Sequence, residues 1–180
     1  VPILLSAFGY ASYYLSPREL RGLGYRYVNA DIDLEAKLRE GRVFLSGTVN
    51  AHAWGEVRLS VELDKVPAPA SLQTAASQIQ LAALVFSYTN NGLVNRIFTL
   101  LAQRNKISLD NFKPALFNKI KSDFHQARLD LDASVLTSVQ QFIQTPKQLV
   151  IQLQPSPPIP INALFQVSPK RLGLKLATLD

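Results

Sequence analysis

"REGRVFLSGTVNAHAWGEVRLSVELD" (residues 39–64) alternates apolar and polar side chains twice over. Val43, Leu45, Gly47 and Val49 oppose Phe44, Ser46 and Thr48; after "HAWGE", Val57, Leu59, Val61 and Leu63 oppose Arg58, Ser60, Glu62 and Asp64. Successive side chains of a strand point to opposite faces, so a period of two marks a strand with one dry face and one wet face. "REGR" (39–42) is the turn into the first of these strands. Upstream of it, residues 25–34 alternate in the same way, with Val28, Ala30, Ile32 and Leu34 opposite Tyr27, Asn29, Asp31 and Asp33. Three strands joined by short connections predict an antiparallel meander.

Downstream, "KVPAPAS" (65–71) is an extended breaker poor in helix formers. Ile79, Leu81, Ala83 and Val85 then alternate into "FSYTNNG" (86–92), so a further strand ends at Asn90-Asn91-Gly92. There the period changes. Leu93, Val94, Ile97, Phe98, Leu100 and Leu101 fill one arc of a helix and leave Asn95, Arg96, Thr99 and Gln103 outside. Ser108 is a natural N-cap for a second helix, with Pro114 expected to move the regular start to its own position. Phe112, Leu116, Ile120, Phe124 and Ala127 repeat at helical spacing along it. Asp132 caps a third helix, with Val135, Leu136, Val139, Phe142 and Ile143 on one side and a stop at Thr145-Pro146. "QLVIQLQ" (148–154) reads as a strand and "PSPPIPI" (155–161) as a rigid connector; a helical turn at 162–166 and a last strand at 172–177 close the chain.

The pattern predicts an α+β fold: an antiparallel β-sheet meander with two to three amphipathic helices packed on one face. We expect a single domain over 1–180, with an N-terminal β-meander in 1–64 and a strand-helix-helix-helix-strand portion in 72–180. "SPRELRGLGYRY" (16–27) echoes "SPKRLGLKLATL" (168–179), which raises the expectation of a shared strand-entry device or a repeat.

Composition narrows the chemistry. The 180 residues are 47% hydrophobic and 18% charged, which is a folding composition. The chain opens at Val1-Pro2 and contains neither Met nor Cys, so we expect a piece of a longer protein. Without Cys there are no disulfides, zinc thiolates or thiol nucleophiles, which fits a periplasmic or extracellular place. The apolar run "ILLSAFGYASYYL" (3–15) is too short to cross a bilayer, which takes roughly 20 residues, and it alternates like a strand. The net charge of +6 attracts phosphate-bearing partners, whether nucleic acid, lipid headgroup or lipopolysaccharide.

Most of that charge lies between Gly92 and Arg128, where seven basic residues face two acidic ones. A reader of DNA would present one basic face of a recognition helix to the major groove. Here Lys119 and Lys121 border the apolar arc, while the opposite face holds Asn111, Asn118, Ser122 and His125. That placement suits stems lying on buried hydrocarbon with ammonium heads at its rim, and nucleic acid is set third among the partners. Asp31, Asp33 and Glu35 share a strand face, which reads as a solvated surface because no Asp/Asn/Gly-rich loop completes an oxygen cage for calcium. His52 and His125 have no ligand-spaced companions, and neither a nucleophile elbow nor a phosphate loop is present. We expect no enzyme, no metal and no cofactor. Trp54, the only tryptophan, sits in a hairpin connection where it either anchors a partner or folds back on the sheet.

The run from Tyr88, Gly92, Leu93 and Arg96 through Ser108 to Phe142, Pro146, Leu149 and Pro155 resembles uncharacterised bacterial envelope proteins, the large periplasmic β-rich chains of the AsmA and YdgA kind. The resemblance covers about residues 79–165 and holds no catalytic residue. It implies a periplasmic or cell-envelope location and a link to lipid homeostasis. The expected function is a non-enzymatic envelope domain that binds lipid or another apolar ligand, with a protein-protein scaffold module as the alternative. Candidate ligand-binding residues are Phe86 on the strand, Ile97 and Leu101 on the first helix, Lys119 and Lys121 as headgroup contacts, and Trp54. The oligomeric state is left open.

Overall fold

The computed structural model describes residues 3–4, 14–15, 17–24, 29–68 and 76–179. Two short antiparallel segments, β1 (Ile3–Leu4) and β2 (Tyr14–Leu15), pair with each other ahead of helix α1 (Pro17–Gly22). The expected meander follows as β3 (Ala30–Arg39), β4 (Arg42–Ala51) and β5 (Gly55–Asp64). Then come β6 (Gln80–Asn90), α2 (Leu93–Arg104), α3 (Leu109–Gln126), α4 (Ala133–Gln144), β7 (Gln148–Leu153), β8 (Ile159–Pro160) and β9 (Lys175–Leu179).

These form one seven-stranded antiparallel sheet in the order β3-β4-β5-β6-β7-β9, with β8 pairing the start of β6. The architecture is α+β, as the alternating and helical periods predict. Glu40 and Gly41 have positive φ, which turns β3 into β4 in two residues and pairs Arg39 with Arg42. That turn fixes the register, and the register fixes the faces. Ile32 lies opposite Val49, Val49 opposite Val57, Val57 opposite Tyr88, and Tyr88 opposite Leu149. One continuous apolar face therefore runs across the sheet, and the charged residues of β3 and β5 lie on the other.

The helices cover only part of the apolar face. Val94, Ile97, Phe98, Leu101 and Ala102 of α2 are buried at the spacing that one helix face requires. They pack with Phe112 and Leu116 of α3 and with Phe142 and Ile143 of α4 to form the core. Tyr88 and Leu149 of the sheet close it from below, and the Tyr88 ring meets Phe142 edge-on at 6.4 Å. Ser138, a buried polar residue, donates to the Leu176 carbonyl at 2.9 Å and ties α4 to β9.

Several local expectations are corrected. The Ser108 hydroxyl accepts from Asn111 N, so α3 starts at Leu109 and accommodates Pro114 inside its second turn, where the ring removes one hydrogen bond. The first meander strand spans Ala30–Arg39, not 25–34, and residues 25–28 lie outside the described set. The apolar run 3–15 is described only at its two ends. The two similar segments do not share local structure: Pro17–Gly22 is helical, whereas 169–173 is a series of turns. The last strand starts at Lys175, after those turns. No helix among the described residues is long and apolar enough to cross a membrane.

Candidate functional site

The helices do not seal the sheet completely. Between α3, α4 and the β7–β9 end lies a cavity of about 360 Å³ whose lining residues are all non-polar. Leu116, Ile120 and Phe124 of α3 form one wall, one turn apart on the same helix face. Val135, Val139 and Phe142 of α4 form the other, and Leu149, Ile151 and Leu176 of the sheet form the base. Leu129, Leu131, Pro169 and Leu174 close it from the loops.

The cavity opens toward a second space of about 670 Å³ that shares Leu131, Val135, Pro169, Leu174 and Leu176 with it. This outer space is polar at its edge, where Asp130, Asp132, Lys170 and Lys175 line it. Gly173 makes the loop geometry possible. Its φ is +61°, and a Cβ there would stand 2.3 Å from the Gln154 carbonyl oxygen. Leu172 accepts from Gln154 N at 3.0 Å, which holds that loop at the mouth.

Phe86 is half-buried on the apolar face, opposite Leu59 and Ile151. Ile97 and Leu101 are each 1% exposed and belong to the sealed core; the cavity is lined from α2 by Phe98 instead. An apolar arc reports that a helix is buried, but not which of its neighbours leaves space. Lys119 and Lys121 are exposed on either side of Ile120, and Lys119 Nζ holds Asp123 at 3.0 Å. Trp54 folds back: it packs on the core, and Tyr88 donates its hydroxyl to the Trp54 carbonyl at 2.9 Å. The reading of the sequence missed the pocket residues Val139, Ile151, Leu174 and Leu176 as a group, and the charged rim of Asp130, Asp132, Lys170 and Lys175. They come from segments far apart in the chain, and no local pattern links them.

The basic helices are less available than their count implies. Arg96 donates to the Leu23 carbonyl, Arg104 pairs with Glu19, and Lys113 donates to the Gln144 carbonyl at 2.7 Å. On β3, Asp31 lies 3.4 Å from His52 and Glu35 lies 2.7 Å from Lys37. Among the described residues no group of three His, Cys, Asp or Glu side chains comes together to hold a metal.

No curated protein and no solved structure matches the chain. The model of a protein family described as "Uncharacterized protein" matches residues 48–178, from the second meander strand through the last strand and including the whole cavity. The chain belongs to that uncharacterised family.

Proposed function

We propose that this protein is a non-enzymatic domain of the cell envelope that holds an apolar ligand, an acyl chain, in the cavity between α3, α4 and the β7–β9 sheet. The observation that carries this reading is the cavity's wall, about 360 Å³ of space with no polar side chain around it. Water finds no hydrogen-bond partner along such a wall, and enclosed apolar cavities of about 150 Å³ already take up benzene or xenon. The volume reaches the lower end of the range for small-molecule sites. Each methylene drawn into it contributes about 0.8 kcal/mol.

The rim supports a ligand with a polar end. Lys170 and Lys175 together with Asp130 and Asp132 suit a headgroup carrying both signs of charge. They line the outer space into which the apolar cavity opens. Four of the seven basic side chains between Gly92 and Arg128 have intramolecular partners, which argues against a nucleic-acid face. The resemblance to periplasmic β-rich proteins supports the envelope setting.

Native mass spectrometry of freshly purified protein is the test. A population carrying one lipid-sized adduct, or one equivalent of dodecanoate after incubation at high salt, is the expected result. A bare chain that takes up no dodecanoate overturns the reading.

A further inference from the structure

Among the described residues strand β3 is an open edge of the sheet. Among the described residues it pairs only with β4, and every one of its ten residues is exposed. Leu34 is 77% exposed, Ile32 66% and Leu38 61%, all on the sheet's apolar face. The two-residue turn at Glu40-Gly41 closes on the pair Arg39–Arg42. The odd-numbered residues of β3 therefore spend their backbone groups on β4, and the N–H and C=O groups of Ile32, Leu34, Ala36 and Leu38 point outward. A long edge with exposed apolar residues is a template for another strand.

The charges say which strand. On the polar face β3 reads Asp31, Asp33, Glu35, Lys37, Arg39: acidic in its first half and basic in its second. Laid antiparallel on a copy of itself, such a strand is its own complement. With Ala36 opposite Ala36 of the copy, Asp33 meets Arg39, Glu35 meets Lys37, and Leu34 meets Leu38 on the apolar side. The charged pairs then fall at the positions without hydrogen bonds, where side chains approach most closely. A shift of one residue would set the apolar face against the polar one. A shift of two would place Glu35 on Glu35 or Lys37 on Lys37 at the two-fold axis. Parallel pairing in register would stack every charge on its like. One register satisfies the face, the charges and the outward backbone groups together.

We propose that β3 is a homodimer interface, joining two copies of this chain edge to edge into one continuous antiparallel sheet with Ala36 on the two-fold axis. The inference is independent of the acyl-chain cavity, which lies at the other end of the sheet.

Sedimentation velocity on the intact chain tests it, with two charge-reversed variants: Asp33→Lys with Glu35→Lys, and Lys37→Glu with Arg39→Glu. All four side chains are exposed, so circular dichroism should be unchanged in both. The unaltered protein should sediment at twice the 19.9 kDa chain mass at micromolar concentration. Each variant alone should associate roughly a hundredfold more weakly, and an equimolar mixture of the two should recover the dimer. A wild-type chain that stays monomeric, a dimer that survives both reversals, or variants that fail to complement each other would each overturn the proposal.

Discussion

Asn90 joins three elements. It ends β6, and its side-chain oxygen accepts from the backbone N–H groups of Gly92 at 3.1 Å and Val94 at 3.0 Å. The N-cap position itself is Gly92, which has φ of +107° and no side chain to offer. Asn90 therefore satisfies donors that a Ser or Asp cap would otherwise take. Its amide nitrogen donates to the Pro146 carbonyl at 2.6 Å, which anchors the junction of α4 with β7. Asn90→Ala should lower unfolding free energy by about 2 kcal/mol. Urea denaturation followed by Trp54 fluorescence is the measurement, and Trp54 lies close by, held through the Tyr88 hydroxyl. The sequence marked Asn90-Asn91-Gly92 as the place where the strand ends. It did not reveal that one side chain would serve both the helix start and a carbonyl more than fifty residues away, because a partner at that distance leaves no local trace.

At the scale of elements, what holds α4 to the sheet is partly polar. Ser138 donates to the Leu176 carbonyl, and one turn along, Thr178 donates to Gln141 at 3.0 Å. Among the described residues strand β9 has a strand neighbour on one side only, β7, so these two bonds add to what holds it in place. Ser138→Ala should cost about 1 kcal/mol and should raise amide hydrogen exchange in Lys175–Leu179 more than in the β4–β5 hairpin. Equal exchange in both places would show that α4 does not pin the edge. Elements were the most legible level. Period two over 43–64 and the helical arcs from Leu93, Phe112 and Val135 depend on the neighbours of each residue alone, and the structure has those strands and helices. The exceptions share a cause. Pro114 does not set the start of α3, because the Ser108 hydroxyl accepts from Asn111 N upstream of it, and the last strand starts later than its pattern predicts because Leu172-Gly173-Leu174 looks extended in sequence while 169–173 forms turns.

The whole molecule is a sheet whose apolar face exceeds what its helices cover. At the β6–β9 end, α2, α3 and α4 cover it and leave the apolar cavity; at the β3 end, among the described residues, apolar side chains stand exposed beside an open edge. Neither feature was legible in the sequence. A void is a failure of packing among side chains from helices, strands and loops at once, and the arc of α2 did not distinguish Phe98, which faces it, from Ile97 and Leu101, which do not. Filling the cavity is the direct test of whether it holds a ligand. Val139 lines the cavity from α4, so Val139→Phe should place a ring in empty space and leave stability unchanged or raised, whereas in a closed core the same change would cost about 1–3 kcal/mol. Titration with a fluorescent fatty acid, run on the wild-type protein and on folded Val139→Phe, is the decisive measurement. The account predicts saturable uptake of one equivalent by the wild type and a loss of at least about tenfold in affinity in the variant. Equal binding by both proteins, or a variant destabilised by overpacking, would contradict it.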